Sequence, residues 1–228
     1  FLPEAKAAQA AIDALKAQGV RHIVAVTHQG YENDKALAAQ LTDVDVIIGG
    51  DSHSLLGDFS APDVSSSGPY PTVARNKSGE PVCIGQAWEY GKAFGLMRVR
   101  FDAQGAVESC GGEGKLLVGD SFKRRDAKGQ WVAVSEAERA ALRTQLQGMK
   151  GVSVIAPDAE AVKVLKGYAD RIAVEKAKLI GKASESLCLV RVPGETTNRS
   201  ASVAGCEQAN RLARGSDAAQ VVAQAFLH

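Results

Sequence analysis

The sequence lacks several features that would assign it to a class directly. It contains no C-x-x-C pair, so neither a zinc ribbon nor a thioredoxin-like redox motif is expected. No apolar run approaches the roughly 20 residues that a membrane-spanning helix needs. The formal net charge is +1, which gives no electrostatic reason to expect a nucleic acid or a membrane as a partner. The chain starts at Phe1 rather than at a methionine and continues directly into a helical pattern, so we expect a piece of a longer protein.

The overall amino-acid composition is ordinary for a folded protein. Of the 228 residues, 45% are hydrophobic and 23% are charged, which is enough for one large domain or two small ones. The first fifty residues alternate between helical and strand patterns. We predict helices at 4–18 and 33–41 and strands at 23–26 and 44–48. Such alternation with short links indicates an α/β fold with a parallel sheet, and the apolar runs favour strands that are buried on both faces.

The pattern changes after Leu56. A Pro/Ser/Gly-rich loop leads into alternating segments with hairpin turns at 76–79 and 102–105, so we predict an antiparallel meander. Ser135 and Glu138 form a capping box, which predicts a helix through about Gln147. The remaining predicted elements are a helix at 158–180, a short strand at 186–194 and the beginning of a helix at 216–228.

Candidate metal ligands follow the two early strands. His28 comes two residues after the first strand, and Asp51 and His53 come just after the second. Ligands collect at the carboxyl ends of strands in open α/β sheets, so the three side chains are expected at one edge of the sheet. Gly30 and the pair Gly49–Gly50 allow the backbone to turn there. Imidazole and carboxylate groups suit divalent Mn, Zn or Co, and the spacing predicts a metal site.

Other candidates have simpler interpretations. His22 precedes its strand and is interpreted as a surface residue, and His228 at the end of the chain as incidental. Trp88 and Tyr90 are interpreted as core or loop packing rather than as a base-stacking platform. The basic cluster at 123–126 is interpreted as a solvated turn.

Two stretches resemble a known family. The sequence "VAVTHQGYENDKALAAQLTDVDVIIGGDSHSLLGD" (24–58) resembles the second half of the metallophosphoesterase domain of the 5′-nucleotidase family, which are exported calcineurin-like enzymes. That family shows T-H-x-G after one strand and G-G-H-S-H, or a similar sequence, after the next. Downstream, "IGQAWEYGKAFGLMRVRFD" (84–102) is similar to the family segment Q-A-x-x-Y-G-K-x-L-G. The resemblance covers most of the chain and is most specific in residues 23–102.

The resemblance implies roles for individual residues. His28 matches a ligand of the second metal, and His53 matches a ligand that reaches the first. Asp51 stands where many members have a histidine, and as a harder donor it is expected to shift preference from zinc toward manganese or magnesium. The implied cofactors are two divalent metal ions (Mn, Zn, Mg or Co), which activate a water and clamp the phosphoryl oxygens. Both histidines must be neutral to bind metal, so activity is expected to fall at acid pH.

The resemblance also implies a fold and a division of the chain. The implied fold is half of a calcineurin-like metallophosphoesterase sandwich, with a partly parallel sheet and an antiparallel meander, followed by a connector helix. Residues 1–134 would be the C-terminal half of the catalytic domain, 135–182 a helical connector, and 183–228 the start of the substrate domain. The family's D-x-H, bridging Asp and G-N-H-E/D loop do not occur before His28. We therefore expect the missing N-terminal segment of the same protein as a partner, and an inactive isolated chain.

Four cysteines remain to be explained. They are either four buried thiols or two local disulfides in an exported protein. The family resemblance favours disulfides and hence a periplasmic or extracellular location. The predicted meander brings Cys83 near Cys110, and Cys188 and Cys206 flank one loop, so we predict these two pairs.

The expected function of the intact protein is hydrolysis of nucleotide phosphate esters, of the 5′-nucleotidase or cyclic phosphodiesterase type, with a nucleotide as substrate. One alternative is a non-catalytic binding or structural module that retains the metallophosphoesterase fold, because Asp51 and the absent ligands depart from the family pattern. Another is a structural domain stabilised by calcium or another metal, with no substrate. The residues upstream of Phe1 would discriminate between these possibilities.

Overall fold

Helices and strands alternate over the first fifty residues, as the sequence predicts. Helix α1 (Glu4–Ala17) is followed by strand β1 (Val24–Val26), helix α2 (Tyr31–Ala38) and strand β2 (Val46–Ile48). Helix α1 ends just before Gly19, whose φ of +81° is a left-handed conformation that glycine adopts at no steric cost. This computed structural model describes residues 2–179, 182, 186–189, 203–206 and 216–227.

The chain divides into two units, Phe1–Asp158 and Ala159–His228. The later elements of the first unit are β3 (Thr72–Arg75), β4 (Pro81–Gly85), β5 (Ala93–Phe101), β6 (Val107–Val118), β7 (Lys123–Arg125), β8 (Trp131–Ala133), α3 (Glu136–Gln147) and β9 (Val152–Val154). The three-part division predicted from the sequence stays a prediction.

The first sheet carries the strands that matter for the candidate site. Its order is β1-β2-β4-β3, with β1, β2 and β4 parallel and β3 antiparallel to β4. Helices α1 and α2 cover one face of this sheet. The core on that face consists of buried side chains from the helices, the strands and their links: Ile12, Ile23, Tyr31, Leu37, Ala38, Leu41, Val44, Ile47, Leu56, Val82 and Ile84.

The second sheet packs on the opposite face of the first. Its order is β5-β6-β9, and β5 and β6 form the long antiparallel hairpin that the sequence predicts at 102–105. Val46 and Cys83 of the first sheet contact Val107 and the half-buried Met97 and Val99 of the second. Cys83 and Cys110 form a disulfide with a Cα–Cα distance of 5.6 Å, which is the pair expected from the sequence. The bond joins the two sheets covalently.

The expectation that the early strands are buried on both faces is wrong for β1. Val24 and Val26 are 57% and 82% exposed. The reason is position: β1 is the edge strand, and the second sheet packs over β2 and β4 rather than over β1. An apolar strip therefore lies open along this edge in the described part of the chain.

One of two local signals near the end of the first unit is confirmed. The Ser135 hydroxyl accepts from the Glu138 backbone N–H, and the Glu138 carboxylate accepts from the Ser135 N–H, so the predicted capping box is present at the start of α3. The basic cluster at 123–126 is exposed as expected, but Lys123–Arg125 form strand β7, which pairs with β8, so the predicted turn is wrong for these residues. Trp131 in β8 lies 4.8 Å from the Arg125 guanidinium, which is a cation–π contact on the surface.

The second unit contains helix α4 (Ala159–Lys176) and a last helix, α5 (Asp217–Ala225). Cys188 and Cys206 form the second disulfide, again the pair expected from the sequence. The strand predicted at 186–194 falls mostly outside the described residues, and its described part, 186–189, is not in a strand. Within the part of the chain that the structure describes, no helix has both the length and the apolarity to cross a bilayer.

Candidate functional site

The two loops that follow β1 and β2 lie side by side. Since β1 and β2 are parallel, their carboxyl ends meet at one edge of the sheet, as expected. Backbone pairing continues past the strands, because the Thr27 N–H donates to the Ile48 carbonyl at 3.0 Å and the Gly30 N–H donates to the Gly50 carbonyl at 3.1 Å. The loop that carries His28 is thereby held against the loop that carries Asp51 and His53.

His28 and Asp51 are brought together at this edge. The His28 Nε2 atom lies 3.6 Å from Asp51 Oδ1, and the two side chains are 79% and 58% exposed. The close approach requires glycine at position 50, because a Cβ there would lie 2.8 Å from His28 Nδ1. An imidazole nitrogen and a carboxylate oxygen this close, both open to solvent, fit two donors of one divalent ion.

His53 turns toward a different carboxylate. Its Nδ1 atom lies 3.1 Å from Glu89 Oε2, and its ring centroid lies 5.5 Å from that of Tyr90. The pKa of Glu89 lies below its usual range, chiefly because its carboxylate is hydrogen-bonded to Lys92. Glu89 therefore stays ionised and accepts a hydrogen bond from the His53 ring.

The described residues contain no group of three or more His, Cys, Asp or Glu side chains arranged to hold a metal ion. His28 and Asp51 are adjacent, whereas His53 is paired with Glu89. The predicted ligand set of His28, Asp51 and His53 stays a prediction, with two of its members in contact.

The backbone at this edge is strained. Asp51 and His53 have φ values of +75° and +50°, and Trp88 and Tyr90 in the neighbouring loop have +58° and +49°. A non-glycine residue in this conformation costs on the order of 1–3 kcal/mol, and such residues concentrate at functional sites. Four of the six described non-glycine residues with positive φ lie in these two loops.

The buried carboxylate of Asp34 supports the loop that carries His28. Asp34 on α2 is fully buried, and its Oδ1 accepts from the Thr27 hydroxyl at 2.7 Å and from the Gln29 amide at 3.0 Å. These two donors flank His28 in the sequence. The Oδ2 atom has no hydrogen-bond partner and faces Gly49, where a Cβ would lie only 2.0 Å away. Gly49 is therefore required for Asp34 to fit against the end of β2.

A buried glutamine supports the second loop. Gln86 follows β4, and its side chain reaches the loop that carries Asp51 and His53. Ser52, between those two residues, accepts a hydrogen bond from the Tyr31 N–H at 3.0 Å at the start of α2. Three separate chain segments therefore meet in one hydrogen-bond network.

Sequence reasoning missed Asp34, Gln86 and Glu89. Gln86 and Glu89 lie in the stretch 84–102 that carries the family resemblance, which was a usable signal. Asp34 gave a weaker signal, as an acidic residue in the first turn of a helix directly after a candidate ligand loop. An acidic residue there usually only complements the helix dipole, so the sequence alone did not distinguish it.

Of the other candidates, His22 precedes β1 at its opposite end, and Trp88 and Tyr90 lie in the loop beside this edge. His22 is exposed and its ring stacks on Phe101 at 3.9 Å. His228 lies outside the described residues. Trp88 packs against the buried cluster that contains Leu55 and Phe59, in line with the packing interpretation. Tyr90 does not pack in this way and is 83% exposed.

Comparisons with known proteins find relatives of one kind, the 5′-nucleotidases. No protein-family model matches the chain. A probable 5′-nucleotidase of Treponema pallidum is 31% identical over 184 residues, which are 79% of this chain and 31% of that protein. The NAD 5′-nucleotidase of Haemophilus influenzae is 28% identical over 222 residues, which are 93% of this chain and 35% of that protein.

A solved structure shares the fold. The NAD nucleotidase of Haemophilus influenzae superposes with a TM-score of 0.70 at 28% identity, covering 79% of this chain and 36% of that one. The predicted α/β fold class, with both parallel and antiparallel strand pairing, is confirmed. The predicted meander is divided between two sheets, with the β3–β4 hairpin in the first and the β5–β6 hairpin in the second. The chain spans about a third of the length of the curated relatives that it matches.

Proposed function

This chain belongs to the 5′-nucleotidase family, and we propose that it supplies part of a metal-dependent centre that hydrolyses nucleotide phosphate esters. The observation that carries the proposal is the contact between His28 and Asp51 at the carboxyl edge of a parallel sheet. Two neighbouring exposed donors of the correct type, one of them in a strained loop, are unusual for a purely structural surface. The proposed ligands are His28, Asp51 and His53.

Two divalent ions (Mn, Zn, Mg or Co) would supply a water of lowered pKa and positive charge opposite the phosphoryl oxygens. The protein would contribute metal-ligating side chains that are held in fixed orientations. Glu89 accepts from His53 Nδ1, which leaves Nε2 as the ring nitrogen with a free lone pair. The carboxylate of Asp51 gives the site a harder and more negative donor than histidine would, which favours manganese or magnesium over zinc.

We further propose that residues 1–228 alone do not turn over substrate. His28, Asp51 and His53 are at most three donors for two ions, which is too few to fix both ions and a water in line with a phosphoryl group. The remaining donors would come from an N-terminal segment of the same protein. The exposed apolar edge of β1, with Val24 and Val26, supports pairing of that segment with the first sheet.

The proposed location is the periplasm or the extracellular space. Both disulfides lie between residues that the structure describes, and no free cysteine remains among these residues. Stable disulfides of this kind form in oxidising compartments. The two bonds support export.

A metal titration tests the proposal. Calorimetry with Mn²⁺ on the 228-residue chain is expected to show weak binding. His28→Ala and Asp51→Ala are expected to abolish it, and His22→Ala, which removes an exposed histidine elsewhere, is expected to leave it unchanged. Equal binding by all four proteins would overturn the assignment of the site.

A turnover assay tests the second part. Phosphate release from nucleotide monophosphates and from a chromogenic phosphodiester is measured with Mn²⁺, Zn²⁺ or Mg²⁺ present. We expect no turnover above the metal alone. Turnover that His28→Ala does not reduce would place the catalytic centre elsewhere, and Mn²⁺ binding by a protein that stays inactive when supplied with the N-terminal segment would favour a binding module.

A further inference from the structure

Gln86 connects both ends of the loop that carries Asp51 and His53. The side chain is almost fully buried, with 3% of its surface exposed. Its Nε2 donates to the Gly50 carbonyl at 3.1 Å, and its Oε1 accepts from the Ser54 backbone N–H. Gly50 and Ser54 flank the segment that holds the two proposed ligands. The Gly50 carbonyl needs a donor and the Ser54 N–H needs an acceptor, and a primary amide provides both.

The same side chain also contacts the middle of the loop. Ser52 Oγ lies 3.4 Å from both Gln86 Oε1 and Gln86 Nε2, and 2.9 Å from Ser54 Oγ. Ser52 in turn accepts from the Tyr31 N–H, three residues after His28. Gln86 therefore fixes the second ligand loop directly and is linked through one hydroxyl to the first.

The loop requires such support because of its backbone. Asp51 and His53 are both in left-handed conformations, which are unfavourable for residues other than glycine. A loop with this strain relaxes unless other contacts determine its conformation. The hydrogen bonds of the buried amide to Gly50 and Ser54, on either side of Asp51 and His53, meet this requirement.

We propose that Gln86 is a positioning residue that holds Asp51 and His53 in their metal-binding conformation. This inference rests on the proposed function, since positioning matters only if these residues bind metal. Gln86 makes its hydrogen bonds to Gly50, Ser52 and Ser54, and it acts through the loop of residues 50–54. Outer contacts of this kind change metal affinity by about 10–100-fold when removed.

The chain offers a matched control at the other end of β4. Asn76 is also a buried amide, and its Oδ1 accepts from the Ser78 and Glu80 N–H groups at 2.9 Å while its Nδ2 donates to Glu80 Oε2 at 2.8 Å. It supports the β3–β4 hairpin, away from the ligand loops. Gln86→Met and Asn76→Leu each replace a buried amide by an apolar side chain of similar size.

The experiment measures two quantities on each variant: amide hydrogen exchange at Ser54 by NMR, and Mn²⁺ affinity by calorimetry. Gln86→Met is expected to accelerate exchange at Ser54 and to weaken Mn²⁺ binding by about 10–100-fold. Asn76→Leu is expected to change neither, although it also destabilises the fold. Equal loss of Mn²⁺ affinity in the two variants would show that only global stability matters and would overturn the inference.

Gln86→Glu provides the second variant in case Gln86→Met does not fold. An ionised glutamate retains the acceptor for Ser54 but has no hydrogen for the Gly50 carbonyl, and it adds a negative charge near the site. If the added negative charge were the only effect of Gln86→Glu, the affinity for Mn²⁺ would rise. If the variant loses the positioning of the loop, the affinity falls. Unchanged exchange at Ser54 in both Gln86 variants overturns the inference, whereas a wild-type chain that binds no Mn²⁺ overturns the proposed function instead.

Discussion

The Nδ1 atom of His53 lies 3.1 Å from the Oε2 atom of Glu89, so a carboxylate outside the proposed ligand set lies beside this ring nitrogen and favours the tautomer that carries its proton there. The Nε2 atom would then be the donor to the proposed metal ion. Lys92, hydrogen-bonded to the same carboxylate, keeps Glu89 ionised by lowering its pKa. This arrangement gives a direct prediction.

Glu89→Gln is expected to weaken Mn²⁺ binding by about tenfold, because a neutral amide orients the imidazole less strongly and makes it a poorer donor. The measurement is calorimetric titration, with the tautomer of His53 followed by imidazole NMR. Glu136→Gln, which removes an exposed carboxylate paired with Arg139 on α3, is the control and is expected to bind Mn²⁺ like the wild type. A Glu89→Gln chain with unchanged affinity and tautomer would contradict the role assigned to Glu89.

Gly50→Ala tests the close approach of the two ligand loops. The added methyl group would lie 2.8 Å from His28 Nδ1, so the exposed His28 ring must shift from its present position beside Asp51. Because the φ of Gly50 is not in the left-handed region, the substitution introduces a clash without backbone strain. We expect a loss of Mn²⁺ affinity of about tenfold or more. Gly119→Ala, where a Cβ meets no atom within 4 Å, is the control and is expected to bind normally.

Asp58 is expected to titrate abnormally. Its hydrogen bond with Lys150, together with those from Ser60, lowers its pKa from 3.8 to about 2. A lowered pKa in the folded protein means that the pair stabilises the fold above pH 3.8 and that this contribution is lost as the pH falls toward 2. In Lys150→Met the pKa of Asp58 should return toward 3.8, as measured by NMR titration. Lys128→Met, in the β7–β8 turn, should leave the pKa of Asp58 unchanged. If the pKa of Asp58 in Lys150→Met stayed at the wild-type value, the pairing of Asp58 with Lys150 would be rejected.

The disulfide between the two sheets is expected to contribute to stability. Cys83 and Cys110 are 27 residues apart, so the bond restricts the unfolded chain and stabilises the fold by up to about 3 kcal/mol. The double variant Cys83→Ala/Cys110→Ala should unfold at lower urea concentration, with an additional cost from the cavity around the buried Cys83. Non-reducing peptide mapping of the wild type should recover both predicted pairs, and four free thiols would reject the bonds and weaken the argument for export.

Much of the fold was accessible from the sequence because its signals are local. The hairpin turns at Gly79 and Gly105, both with positive φ, and the capping box at Ser135 follow from short patterns that need no tertiary information. The exposure of Val24 and Val26 was not accessible in the same way. An apolar run gives the same pattern for an edge strand as for a central one, and only the sheet order distinguishes them.

The candidate site also has one part that local sequence signals predict and another part that depends on tertiary packing. His28, Asp51 and His53 follow predicted strands, so their placement at one edge of the sheet could be anticipated from parallel pairing. Their supports could not be derived from spacing. Asp34 and Gln86 act through contacts with Gly49, Gly50 and neighbouring backbone groups, and such contacts depend on packing. The turn of His53 toward Glu89 depends on a loop conformation with positive φ that no sequence pattern predicts.

The most direct test of the central claim uses the four histidines of the chain as reporters. Substoichiometric Mn²⁺ is added to ¹⁵N-labelled protein, and the imidazole resonances are followed by long-range ¹H–¹⁵N NMR. The proposed metal centre predicts that His28 and His53 broaden first, while His22, stacked on Phe101, remains sharp. Broadening of His22 in parallel with His28, or sharp resonances for both His28 and His53, would contradict the assignment of this sheet edge as a metal site.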